Sequence, residues 1–268
     1  MNTNSPKAGQ RMARRLRGIV PYAAAVLSLL GVWQVIAFFM PAYLMPDVPV
    51  VLKKLAGSFT EPKFLNALKG SLVRLGIGYP IACLLGAFLG LLAGISQSFA
   101  KYLRSLISIL QSIPPITWVP FLILLLGFGN APIVIVITIA SFFPMALSVM
   151  NATEGVNRTH LELARVLGAS RKQLLANVYA PESLPAFVTG AQVSFGNAWR
   201  SLIAAEMVGG AQAGLGFFLS YSAEIADMKS VMMSIMVIGG IAAILDHVVL
   251  ERIKRKLLHW RYVSGGEQ

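Results

Sequence analysis

Three long stretches without a single Asp, Glu, Lys or Arg, residues 18–46, 75–100 and 105–153, limit what this chain can fold into. Each is longer than the roughly 20 apolar residues that cross a hydrocarbon core. No soluble core needs runs like these. The composition agrees: 56% of residues are hydrophobic and 13% charged, and the mean hydropathy is +0.69. Backbone polar groups in lipid must be satisfied within their own segment. The expected fold is therefore all-α: a polytopic membrane protein with about six transmembrane helices.

The spans are expected at 19–40, 71–94, 103–127, 131–151, 184–210 and 230–250. The longest uncharged run must be two helices, because Gly127 to Pro132 is a turn signal in its middle. This divides the chain into a basic N-terminus (1–18), a membrane domain (19–250) with a polar loop at 154–183, and a basic tail (251–268). The N-terminal apolar stretch continues past the length of a signal peptide and shows no small-x-small cleavage site before Trp33, so it is read as a retained first span.

Lys and Arg set the orientation. In the six-span arrangement sixteen fall on the side of the termini, and six, Lys53, Lys54, Lys63, Lys69, Arg74 and Lys229, on the other; Arg200 is left within a span. That bias places both termini in the cytoplasm. The basic segment 41–74 carries apolar residues at Val51, Leu52, Leu55 and Phe59, the spacing of a short helix lying on the membrane face.

The net charge of +12 does not imply nucleic acid, because the cations flank apolar segments and form no aromatic-bearing polar face. Cys83, the one cysteine, lies in an apolar run and reads as a small core residue. His247 beside Asp246 has no second ligand at helical spacing, so no metal is expected. There is no G-x-x-x-x-G-K-[ST] loop and no nucleophile motif, so the chain is not expected to be an enzyme or to hydrolyse ATP itself.

Within the spans, Gly86, Gly90 and Gly94 make two G-x-x-x-G steps, which allow close helix approach, within the chain or to another subunit. Pro114, Pro115, Trp118 and Pro120 interrupt the third span, and such breaks are tolerated where backbone lines a watery path or is buried in protein. Arg200 and Glu206, with Trp199 beside them, are charges in a span and must face protein or water. Six residues apart, they sit about 120° from each other and are poorly placed to pair. Arg200 reads either as half of an ion pair with another span or as a source of positive potential for an anion.

The loop at 154–183 is polar yet locally well specified. Thr159 and Glu162 have the spacing of a capping box, predicting a helix from about His160. Gly168 can end it in the left-handed conformation. Ser170 and Gln173 repeat the capping spacing and start a second short helix, after which Pro181 and Pro185 are expected to reset the chain.

Glu162-Leu-Ala164, then Gly168-Ala169-Ser170, then Val178-Tyr-Ala-Pro181, resembles the EAA loop of permeases in binding-protein-dependent ABC importers. Leu163, Val178 and Ala180 depart from that pattern. Ile113 to Pro120 with Gly127-Phe-Gly129, and Asn197 to Met207 with Gly214-Leu-Gly216, resemble the nitrate, taurine and aliphatic-sulfonate branch. The resemblance implies that Glu162, Ala164, Gly168, Ala169, Ser170 and Arg171 form a docking element for an ATPase, with Lys172 exposed beside them. The broken backbone and the charges within the spans make Pro114, Pro115, Trp118, Trp199, Arg200 and Glu206 the candidate pathway residues. Six spans alone enclose only a narrow path and symmetric pairs are the commonest oligomers, so two permease copies with two ATPase subunits carrying ATP and Mg2+ are expected; the resemblance implies an extracytoplasmic solute-binding protein and a small solute, in a bacterial inner membrane. No cofactor is implied on this chain. A secondary transporter or channel is the alternative, and it would need coupling carboxylates at mid-membrane or internal repeats.

Overall fold

The computed structural model describes residues 8–209 and 213–250, together with Arg252, and every regular element among them is helical. The tail expected at 251–268 lies outside them apart from Arg252, as does the side chain of His247; of the basic N-terminus only the backbone from Ala8 is described.

In chain order the helices are α1 (Ala8–Phe39), α2 (Val48–Ser58), α3 (Pro62–Ile95), α4 (Gln97–Gln111), α5 (Trp118–Leu126), α6 (Asn130–Glu154), α7 (Arg158–Val166), α8 (Arg171–Leu174), α9 (Ala180–Met207), α10 (Leu215–Glu224) and α11 (Met228–Ile244). A 3-10 turn, Pro115–Thr117, precedes α5, and wider π turns follow α8 (Leu175–Tyr179) and α11 (Leu245–Leu250). Six helical units thus occupy the expected span positions. α3 and α6 are each long and apolar enough to cross a membrane alone, and α4 with α5 is a third such unit, bent by 72°. α1 and α11 contribute the shorter apolar segments Ala23–Phe39 and Met228–Ile244.

The centre of the bundle is α6, packed between α3 and α9. Glycines make this closeness possible. A Cβ added to Gly86 would lie 2.8 Å from Met145 Cβ, one on Gly90 would lie 2.5 Å from the Ala146 carbonyl, and one on Gly94 would collide with Thr153. The G-x-x-x-G steps therefore serve an interface within the chain, between α3 and α6, as small-residue seams do in membranes. On the other flank of α6, Gly190 of α9 lets Ser148 approach, and the Ser148 hydroxyl donates to the Ala186 carbonyl at 2.9 Å. Val119, Leu122, Ile133, Ile137, Ala198, Trp199 and Leu202 fill the space among α5, α6 and α9.

Several expected boundaries move. α3 begins at Pro62, so Lys63, Lys69 and Arg74, assigned by charge to an outside loop, ride on its first turns. The third span is not one helix: Pro114 and Pro115 supply no N–H, and the chain re-enters helix only through the 3-10 turn. Pro181 and Pro185 do not reset the chain. α8 runs through the π turn straight into α9, and the wider π turn just before Pro181 accommodates its ring and missing N–H within a continuous helix. α10, in a stretch expected to be only connection, is a further helix packed on α9, α11 and α3. α2 forms as the spacing predicted, with Val51 fully buried. Gly127 and Gly129, at φ +79° and +148°, make the expected turn before α6.

Candidate functional site

At one end of the bundle, α6 and α9 are joined by the polar loop, whose two helices are built by local chemistry. Asn157, and not Thr159, caps α7: its side chain accepts from the Thr159 N–H at 2.9 Å. Thr159 is thereby inside the first turn, where its hydroxyl cannot cap, and Glu162 lies too far along the helix to complete a box. The Glu162 carboxylate is exposed.

The end of α7 forms as expected. Gly168 has φ +80°; its N–H donates to the Arg165 carbonyl at 2.9 Å, and the Ala169 N–H donates to the Ala164 carbonyl at 3.0 Å. This paired pattern is a Schellman cap, which needs a left-handed residue at Gly168. Ser170 then caps α8: the Gln173 N–H donates to the Ser170 hydroxyl at 3.4 Å, and the Ser170 N–H to the Gln173 side chain at 2.8 Å. Glu182, at the start of α9, ties the loop's base, accepting from the Asn157 N–H at 3.3 Å and meeting His160 Nδ1 at 2.5 Å.

This shaped loop leaves apolar side chains uncovered. Leu163, Val166 and Leu167, at the i, i+3, i+4 spacing of one helix face, are 59%, 84% and 78% exposed. Arg171 and Lys172 are exposed beside them. An exposed apolar tip with a basic flank has the chemistry of an interaction surface.

At the other end lies a buried polar network. Glu206 is fully buried and meets Arg74 Nη1 at 2.5 Å; the Ser71 hydroxyl donates to it at 2.8 Å and the Gly216 N–H at 2.9 Å. Arg74 Nε also donates to the Asn130 side chain at 2.7 Å, and the Leu215 N–H to the Ser71 hydroxyl at 2.9 Å. The network thereby joins α3, α6, α9 and the start of α10. Gly214 and Gly216 are required here, since a Cβ on Gly214 would strike the Glu206 carboxylate and one on Gly216 the Ile203 carbonyl. Arg74 falls within the span expected at 71–94 yet counts with the outside charges, because the uncharged run begins one residue later. The Ser71 and Arg74 spacing on one helix face was the signal that could have placed them together.

The remaining charge, Arg200, is exposed on α9 and borders a cavity of about 330 Å3 with Gln111, Pro115, Ala140, Phe143, Asn197 and Ser201. Of the residues singled out in the sequence, Pro115 and Arg200 share this cavity. Pro114 is exposed just before it, and Trp118 lies half-buried at a separate apolar cavity, edge-on to Phe121. Trp199 is buried in the core and Glu206 in its network, so neither lines the cavity. Asn197 and Ser201 flank Arg200 at helical spacing on α9 but carry no charge, and Gln111 stood out only once the fold brought it to Arg200.

Comparison with known proteins agrees with this geometry. The family model for the binding-protein-dependent transport system inner membrane component matches residues 84–258. The taurine transport system permease protein TauC of Escherichia coli (strain K12) is 31% identical over 87% of this chain and 86% of its own length. The putative aliphatic sulfonates transport permease protein SsuC of Bacillus subtilis (strain 168) is 26% identical over 98% of this chain and 96% of its own. The nitrate import permease protein NrtB of Synechococcus elongatus is 29% identical over 88% of each. Among solved structures, an inward-facing MetNI methionine ABC transporter chain superposes with TM-score 0.61 at 19% identity, covering 72% of this chain and 95% of that one. By its fold, its loop and these relatives, the chain belongs to the family of binding-protein-dependent transport system inner membrane components.

Proposed function

We propose that this chain is the membrane-spanning permease of an ATP-driven importer that moves a small solute, an organic sulfonate such as taurine, or nitrate or a similar anion, received from a solute-binding protein. The observation that carries the reading is the α7–α8 loop, which is shaped by its own caps and yet leaves Leu163, Val166 and Leu167 exposed. The substrate class rests on relatives named for sulfonate, taurine and nitrate transport.

In this reading the loop end is cytoplasmic and both termini lie on that side. Two ATPase subunits hold ATP and Mg2+ and dock against the loops of two permease copies. Closure of the ATPases then displaces α6 and α9, the helices that flank each loop. Glu162, Ala164, Gly168, Ala169, Ser170 and Arg171 are the docking residues, with Gly168 and Ser170 setting shape and Arg171 meeting acidic groups of the partner.

The test is purification of the tagged chain in mild detergent from its own host. An ATPase bearing a phosphate loop is expected to be retained, and to be lost when Val166 and Leu167 are both changed to Asp. Retention of no ATPase by the wild-type chain would overturn the reading.

A further inference from the structure

Arg200 raises a question that the coupling loop does not answer. A guanidinium in a span is costly in lipid and must face protein or water. Its one hydrogen bond among the described residues is local: Nη2 donates to the Asn197 side chain at 2.8 Å, one turn back on α9. That bond holds the guanidinium in place and leaves its other donors free.

Among the described residues no carboxylate lies within ion-pair distance of Arg200. Of the 11 Asp and Glu residues, only Glu206 and Asp246 lie within the expected spans. Glu206 is sealed against Arg74, Ser71 and Gly216. Asp246 lies about 27 Å along α11 and its continuation from the start of that helix. Arg200 lies about 10 Å from the end of α9, on the side of the bundle where α11 begins. A second copy related by an axis along the membrane normal would bring the same carboxylates at the same depths.

The cavity that Arg200 borders has the chemistry of a ligand site. Asn197, Ser201 and Gln111 add neutral amide and hydroxyl donors, while Pro115, Ala140 and Phe143 form an apolar wall. Its volume of about 330 Å3 is near ten water volumes of ~30 Å3 each. One cation, neutral donors and no acid favour a compact, singly charged oxyanion with a small organic group.

We propose that Arg200, Asn197, Ser201 and Gln111 form an anion station inside the membrane subunit, which binds a sulfonate or nitrate group and makes the permease itself selective for anions. This deepens the importer reading above and rests on it. Asn197 is the positioning residue for the guanidinium, and Arg200 supplies the charge.

The experiment is equilibrium binding of radiolabelled methanesulfonate to the detergent-purified chain at fixed ionic strength. Wild type is expected to bind saturably, with displacement by nitrate and none by choline. Arg200→Gln is expected to bind about tenfold more weakly or worse, and Arg200→Lys to retain part of the affinity because it keeps the charge without the planar fork. Asn197→Ala, which releases the guanidinium, is expected to weaken binding less than Arg200→Gln.

Retention of the ATPase is scored in the same preparations. It is expected to be unchanged in Arg200→Gln, which shows that the variant is folded. Absence of saturable binding by wild type, or equal binding by a folded Arg200→Gln chain, overturns the anion station. Loss of the ATPase from wild type overturns the importer reading instead.

Discussion

Arg74 and Glu206 are buried together at the end of the bundle away from the loop, and each is tolerable only because of the other. Removing one partner leaves an uncompensated charge in a site closed by Gly214 and Gly216. Arg74→Leu is therefore expected to destabilise the chain by ~3–5 kcal/mol. Arg74→Leu with Glu206→Leu is expected to recover part of that loss, because no charge is then stranded. Thermal unfolding in detergent checks both, and equal stability of Arg74→Leu and wild type would contradict the account. Gly216→Ala is expected to cost ~1–3 kcal/mol by forcing α10 away from the Ile203 carbonyl. The partnership of these residues was not legible in the sequence, since Arg74 stands at the edge of an apolar run, counts with the outside charges, and lies 132 positions before Glu206 in the chain. By contrast, Gly168 was legible, because a lone glycine between two helical patterns has few uses besides a left-handed cap.

Helices in this molecule were predictable where local rules dominate. The α7–α8 turn followed from Gly168, Ser170 and Gln173, although the cap of α7 fell to Asn157, whose amide lies nearer the orphan N–H groups than the Thr159 hydroxyl. α10 and the continuity of α8 with α9 were not predictable, because they depend on tertiary packing and on a π turn that lets Pro181 enter a helix. Gly168→Val is expected to cost the α7 terminus ~1–2 kcal/mol, the penalty of a left-handed residue with a branched side chain. Its signature is faster amide exchange at Ala169, together with weaker ATPase retention. α11 offers a pH test. Burial pushes the Asp227 carboxyl up, but the Ser230 hydroxyl and N–H, with the Lys54 charge, outweigh it and hold the group below the usual carboxylate range. A depressed value means that the cap's contribution is present above an unfolded carboxylate pKa of about 4 and is lost as the pH falls through the folded value. Asp227→Ala is accordingly expected to lower the unfolding temperature at neutral pH and to differ less from wild type in acid.

The whole molecule links two specialised ends through α6 and α9. One end is a preformed loop whose apolar tip and basic flank call for a protein partner; the other is fastened by the Arg74–Glu206 network; between them Arg200 faces a cavity beside the broken third span. The spans and the loop could be read from apolar runs and punctuation, and Asn197 and Ser201 flank Arg200 at helical spacing on α9, whereas the cavity could not be read, because Gln111 at the end of α4 meets them only through tertiary packing. In the proposed importer, force from ATP enters through α7 and α8. This coupling is tested most directly by solute uptake into liposomes holding the purified chain, its ATPase and its binding protein, with and without ATP. Uptake of radiolabelled sulfonate or nitrate is expected to require ATP and to fall to background when Val166 and Leu167 are changed to Asp in a chain of unaltered thermal stability. Uptake by the chain alone under an ion gradient, or ATP-driven uptake undiminished by those changes, would contradict the account.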